Sequence, residues 1–495
     1  MDAQLPTQRA LAIAGERIAG GVGVHETALA SPDVVDLRGR VVLPGFSDAH
    51  VHFPSWALAL RDVRLEGSTT LEEGLRRIDG AERAPGRILR GRGWRAGDWG
   101  GVEPTKDDLD AVTGETPAAM WARDGHSLWL NSAALALARG ELEVEGGVVE
   151  RDGRGGPTGV LREEAAWRFA ALHLQVSDAE YLEAMREGLA VASARGVTAV
   201  HDKDGGLGAP GLWQRLERAG ALTLRVWQSL PHDRVDELRA LGVRSGFGSQ
   251  FVRLGYLKVF MDGTLGSETA WMLDGSGVVI TRGEELAEIV VSAAEGGFPV
   301  AVHAIGDRAN REALDAFERT RESWAPAGLR QRIEHAQLLA PEDVGRFAEL
   351  GVAASVQFSH APSDRDLADR VWAGKTGGAY AYRSLLESGA VVANGSDAPI
   401  EELDPLAGVR AGVRRTLDGR DAWHPEQALT VQQALEATIL APAWLAGEER
   451  RRGKLLPGYA ADLVVLDRDP WEDLDAEVVA TMVAGRWVHN PPPWD

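Results

Sequence analysis

The stretch VVLPGFSDAHVHF, residues 41–53, decides the fold. Its β-branched and small residues read as a strand that ends in Asp48-Ala49-His50-Val51-His52. Alternate residues of a strand point to the same side, so His50 and His52 share one face. By itself a His-x-His pair also reads as ordinary surface or core histidine. What the rest of the chain sets beside it decides between the two.

Seven further strand-like stretches follow in order: GVTAVHD (196–202), LTLRVWQSL (222–230), FVRLGYLKVFMDG (251–263), FPVAVHAIGD (298–307), LRQRIEHAQLL (329–339), GVAASVQFSH (351–360) and AVVANGSDAP (390–399). Amphipathic helical text separates several of them, as in 178–196 and 283–297, and glycine closes each helix before the next strand opens. Alternation of this kind calls for a parallel sheet with crossover helices, and eight units call for a closed (β/α)8 TIM barrel.

Two regions depart from the alternation. Residues 9–21 and 34–46 at one end, and 453–470 and 480–490 at the other, read as short strands and turns. We assign 1–44 and 448–495 to one composite β-sandwich domain, and 45–65 with 181–447 to the barrel. Residues 66–180 exceed what one βα unit needs and read as an inserted subdomain after the first barrel strand. A βα loop lies at the barrel face that carries active sites, so the part around Gly93 to Leu161 is expected to cover the mouth and supply specificity.

Metal-binding side chains recur where these strands end. The fifth ends in His303, the sixth in His335 and the eighth in Asp397, and the fourth carries Lys258 between Leu257 and Val259. A lysine inside an apolar strand is disfavoured as a buried ammonium. Two nearby cations would lower its pKa, and the neutral amine could then take up CO2 to become a carbamate that bridges both metals.

Bulk properties exclude several classes. The 495-residue chain carries a net charge of -21, which repels nucleic acid and anionic membranes. It has no cysteine, so disulfide frameworks, thiolate nucleophiles and Cys-ligated zinc are out, and a reducing cytoplasm suits it. The first residues show no signal-peptide pattern, and no apolar run approaches the ~20 residues that span a bilayer.

The strand-terminal histidines, VVLPGFSDAHVHF and GSDAP together resemble the amidohydrolase superfamily. Further motifs sharpen the likeness: residues 97–112, 122–135, 157–165, 257–270, 301–309 and 393–405 resemble the amidohydrolase type 3 family, the branch that includes N-substituted formamide deformylase. The resemblance spans nearly the whole chain and implies a TIM-barrel metal hydrolase with a composite β-sandwich. It implies that His50, His52 and Asp397 bind the more buried metal, that Lys258 bridges as a carbamate, and that His303 and His335 bind the more exposed metal. Asp397 would also shuttle protons. Two positions depart from the pattern. Glu268 stands where relatives often carry arginine, which bears on the charge a substrate presents, and Phe358 stands where they often carry proline.

The expected activity is hydrolysis of an amide, formamide or cyclic amide of a small molecule by metal-activated hydroxide, with Asp397 as general base and then general acid. The nitrogen and oxygen ligands suit two Zn²⁺, with Fe, Mn or Co as substitutes. The same hydroxide would serve an esterase or lactonase. A deaminase is disfavoured, because no glutamate stands three residues after His303. A non-catalytic binding barrel is disfavoured because every ligand position is filled. His126, His201, Glu268 and Gln357 are candidate substrate contacts. His201 and Gln357, like His360, read equally as structural support, and His126 reads rather as a structural hydrogen bond. Trp94, Trp99, Trp121 and Trp129 read mainly as core or lid packing rather than substrate platforms. Homo-oligomerisation is compatible with the sequence.

Overall fold

Eight parallel strands follow one another in chain order: Phe46–Val51 (β1), Val197–Asp202 (β2), Arg225–Pro231 (β3), Val252–Phe260 (β4), Val300–Ala304 (β5), Arg332–His335 (β6), Ala353–Val356 (β7) and Val392–Asn394 (β8). Each pairs with its chain neighbours, giving one sheet from β8 back to β1. All eight predicted strands are present in the predicted order. Most of their residues are buried on both faces, as helix-covered parallel strands require.

The seam between β8 and β1 is joined at the C-terminal ends of the strands. Asp397 N donates to His50 O at 2.7 Å and His52 N to Ala398 O at 2.9 Å. The Asp48 carboxylate accepts from Ser396 N at 3.1 Å and from His50 N at 2.9 Å. Gly395 permits this approach, since a Cβ there would lie 2.4 Å from His50 N.

This computed structural model describes residues 9–20, 33–83, 86–123, 125–138 and 142–494. Residues 1–8 and 21–32, part of the expected terminal domain, lie outside the described residues, as do the first residues read for a signal peptide. Among the described residues no helix is long and apolar enough to cross a membrane. Two compact units emerge, Met1–Trp56 with Met185–Asp495, and Ala57–Ala184.

In the first unit the barrel helices bury one stripe each. Leu286, Val290 and Ala293 of helix Gly283–Glu295 join Val300 and Val302 of β5 in one apolar cluster. The chain ends build a four-stranded antiparallel sheet in which Val41–Pro44 pairs with Leu463–Leu466, followed by Val478–Val483 and Arg486–His489. A hairpin of Ala12–Ala14 and Arg17–Gly20 places Ile18 in the same core as Leu463, Val465 and Met482. Of the short strands and turns read across 34–46, the strands begin at Val41, and residues 34–40 form none. Val34 is exposed, and the Asp36 carboxylate accepts from Arg38 N at 2.9 Å, closing a turn instead.

The second unit has its own six-stranded sheet: Val63–Arg64, Leu89–Trp94, Ala118–Ala122, Ser127–Leu130, Pro157–Glu163 and Gly147–Arg151, in that spatial order. Trp94, Trp99 and Trp129 are buried together, with ring centroids 6.1–6.3 Å apart. Each indole N–H has an oxygen acceptor within the unit: Met120 O, Ser68 and Thr105 O. These three tryptophans are core, and Trp121 is partly buried against a second cluster of the same unit.

Candidate metal centre

The C-terminal ends of the barrel strands bring His50, His52, His303, His335 and Asp397 together, with Lys258 beside them. Ring centroids lie 5.7 Å apart for His50 and His52, 4.8 Å for His50 and His335, and 4.5 Å for His303 and His335. Strand alternation alone would aim His335 away from the barrel side that Glu334 occupies. The chain turns left-handed there, with φ of 73° at His335, and again at Asp397, with φ of 57°. Such backbone costs a non-glycine residue on the order of 1–3 kcal/mol and is held by the surrounding structure.

Asp397 is the hub. Its Oδ1 lies 3.3 Å from His50 Nε2 and 3.6 Å from His52 Nε2. Its Oδ2 lies 4.0 Å from His335 Nδ1 and 3.9 Å from His360 Nε2. Two donors each ~2.0–2.2 Å from one tetrahedral cation stand about 3.4 Å apart, so the Oδ1 spacings are those of a shared ion.

The other nitrogen of these rings is occupied. His50 Nδ1 meets Glu334 Oε2 at 2.8 Å, His52 Nδ1 meets Asp204 Oδ1 at 2.7 Å, and His335 Nδ1 meets Gln357 Oε1 at 2.9 Å. An N–H donated on the Nδ1 side leaves the Nε2 lone pair for a metal, the arrangement by which outer partners orient ligands. His303 uses the opposite nitrogen, with Nε2 3.0 Å from Gly263 O, which frees Nδ1.

Electrostatics fit the same use. Burial, then the Lys258 charge, pushes His303 down to about 3, and burial with the neighbouring His303 holds His335 well below the usual range. Both imidazoles are therefore neutral at neutral pH. Burial raises the Asp397 carboxyl, but the imidazoles of His50, His335 and His52 outweigh it and hold it well below the carboxylate range. Burial lowers the Lys258 ammonium against the opposing pull of Glu334 and Asp397. Lys258 Nζ is buried without a hydrogen-bond partner, 4.6 Å from the Phe260 ring centroid.

The remaining candidates fall elsewhere. His201 is fully buried, its Nδ1 3.1 Å from Arg332 Nη1 and its ring stacked on Tyr256. Gln357 stands behind His335. Glu268 is an exposed turn residue with φ of 57°. His126 belongs to the second unit, with Nδ1 2.9 Å from Glu163 Oε2, and Asp124 beside it lies outside the described residues.

The sequence reading gave no role to the charges beneath the site. Glu334 accepts from Lys203 Nζ at 2.7 Å and pairs with Arg332 Nε at 2.7 Å, all three side chains fully buried. Asp204 holds His52 and also accepts from Ser55 N at 2.9 Å. The signal was present: a carboxylate or lysine in a buried strand requires a partner.

Comparison with known proteins agrees with this geometry. A family model described as "Amidohydrolase family" matches residues 33–489. Protein LONG AFTER FAR-RED 3 of Arabidopsis thaliana is 32% identical across 92% of this chain and 83% of its own length. N-substituted formamide deformylase of Arthrobacter pascens is 29% identical across 99% of this chain and 95% of its own. An uncharacterized metal-dependent hydrolase from Pyrococcus furiosus superposes with a TM-score of 0.76 at 29% identity, covering 93% of this chain and 95% of that one.

Proposed function

The chain belongs to the amidohydrolase family, and from that premise we propose that it hydrolyses a carbon–nitrogen bond other than a peptide bond in a small amide, formamide or cyclic amide. The observation that carries the reading is Asp397, a buried carboxylate with imidazoles facing both of its oxygens. His50, His52 and Asp397 would hold one divalent metal, His303 and His335 a second, and Lys258, as carbamate, would join them. Zinc suits these donors, and iron, manganese and cobalt are substitutes. Such metal supplies acidified water and a polarised carbonyl.

The chain's own groups do the rest. Asp397, held ionised, accepts a proton from the attacking water and returns it to the leaving nitrogen. Glu334, Asp204 and Gln357 keep the rings in the required tautomer. Lys258 loses one proton to become a neutral amine, bonds through Nζ to CO2 and releases a second proton from that nitrogen, converting a repelling cation into an anion. The likeness to the deformylase across nearly both full chains supports formamides as the first substrates to try. The cysteine-free composition suits a cytoplasmic enzyme.

Metal analysis followed by a screen of N-formyl amines, N-acyl amines and cyclic amides tests this. Amine release that stops on chelation and resumes with added metal is expected. Turnover of esters or lactones alone, or ammonia release from ring amidines, would move the assignment to an esterase or a deaminase. Metal-loaded protein inert toward every class would point to binding without catalysis.

A further inference from the structure

The ligand atoms fall into two groups, one residue shared. His50, His52 and Asp397 form the first, and His335, His360 and Asp397 the second, each with one ligand atom per residue mutually within 4.8 Å. The first is the trio assigned to one metal above. The second brings in His360, the first residue of helix His360–Val371, which that assignment leaves out.

Two buried atoms here have no partner: Nε2 of His360 and Oε1 of Gln337. His360 is 5% exposed and Gln337 4%. Nδ1 of His360 lies 3.2 Å from Nε2 of Gln337. If that amide N–H donates to Nδ1, the ring hydrogen sits on Nε2, aimed at Asp397 Oδ2 from 3.9 Å, too far to bond. The reversed amide lets Nδ1–H donate to Gln337 Oε1 and leaves the Nε2 lone pair facing Asp397 and His335. A cation on that side then receives the lone pair, so an ion there gives the unpartnered His360 Nε2 its partner. The pattern repeats the one at His50 and His52, where an oxygen on Nδ1 accompanies an Nε2 that faces Asp397.

We propose that His360 is a metal ligand, sharing a divalent cation with His335 on the Oδ2 side of Asp397. His303 lies beside His335, with its Nε2 3.0 Å from Gly263 O. The proposal rests on the metal-dependent reading and adds a ligand that the fifth- and sixth-strand histidines do not supply.

The decisive experiment has two arms. Zinc-loaded wild-type crystals measured at the zinc edge should show an anomalous peak ~2.0–2.1 Å from His360 Nε2. In chelator competition, His360→Ala should weaken its less tightly held zinc by more than the ~10–100-fold expected of Gln337→Ala, which removes only an outer partner. Zinc found at His50, His52 and His335 with His360 Nε2 beyond ~3 Å, outside any zinc–nitrogen bond, overturns this inference alone. So does a folded His360→Ala that holds both zincs as wild type does. Protein that takes up no metal overturns the hydrolase reading together with it. The crystal arm uses wild-type protein, so it decides the matter even where the variant fails to fold.

Discussion

Glu334 Oε2 lies 2.8 Å from Nδ1 of His50, and neither side chain is more than 1% exposed. The carboxylate is itself held at its other oxygen by Lys203 and Arg332, each 2.7 Å away. Ring orientation at His50 thus depends on two cations that have no direct contact with it. Glu334→Gln removes the charge but keeps the shape. We expect metal affinity to fall ~10–100-fold, read by chelator competition, since that is the effect of losing an outer-sphere carboxylate. The variant also strands two buried cations, so unfolding free energy should drop by roughly 3–5 kcal/mol in denaturant titration.

The same carboxyl sets a pH dependence. Burial raises Glu334, but the charges of Arg332, His50 and Lys258 outweigh it and hold it well below its ordinary 4.5. A carboxyl depressed in the folded state contributes stability above its unfolded pKa and loses it as pH falls toward the folded value. In metal-free protein the stability gap between wild type and Glu334→Gln should therefore be full above pH 4.5 and narrow below it. Urea melts of both proteins at stepped pH check this, and a gap that widens on acidification would contradict it.

Lys258→Ala is expected to lose one metal and most activity, because the bridging anion goes with the amine. Short-chain carboxylic acids should partly restore both, since they can occupy the space and bring back the charge. Metal content and turnover, measured with and without added acetate, report the two effects separately. Full activity of the wild type with one metal, and no CO2 adduct on Nζ, would exclude the bridge.

The barrel and its ligand-bearing strands were legible because periodicity and strand ends are local signals. His50 and His52 lie two residues apart, and Asp397 and His335 sit at strand ends that pattern alone locates. What lay beyond reach was long-range pairing. Glu334 is 284 residues from His50 and 131 from Lys203, and only ring closure of the barrel brings them together. The left-handed turns at His335 and Asp397 were equally invisible, since neither residue is one whose type demands positive φ. Within residues 34–46, read as short strands and turns, the strands begin only at Val41, because upstream Asp36 offers the backbone a side-chain acceptor that competes with a ladder.

Asp397→Asn separates chemistry from fold. Asparagine tolerates the left-handed backbone that Asp397 adopts, so the thermal midpoint should change little. The amide cannot take up the proton of water, and kcat should fall by ~10²–10⁴-fold, the usual contribution of general acid–base catalysis. A variant that keeps metal and loses less than tenfold in kcat would move the proton-transfer role to another group.

The last expectation concerns a pair remote from the metal ligands. Arg225, at the start of β3, donates through Nε and Nη2 to the two oxygens of Asp462 at 2.7 and 3.0 Å. Asp462 Oδ1 also accepts from Ala484 N at 2.8 Å, and its carbonyl accepts from Gly45 N at 3.0 Å. One buried carboxylate therefore ties the barrel floor to the sheet built from both chain ends. Asp462→Asn leaves Arg225 without its counter-charge, and breaking a buried pair from one side costs roughly 3–5 kcal/mol. That loss should register in denaturant melts while metal content and KM stay at wild-type values, because no proposed ligand or ligand partner contacts either residue. Loss of metal in folded Asp462→Asn would mean instead that the terminal sheet sets the geometry at the far end of the strands.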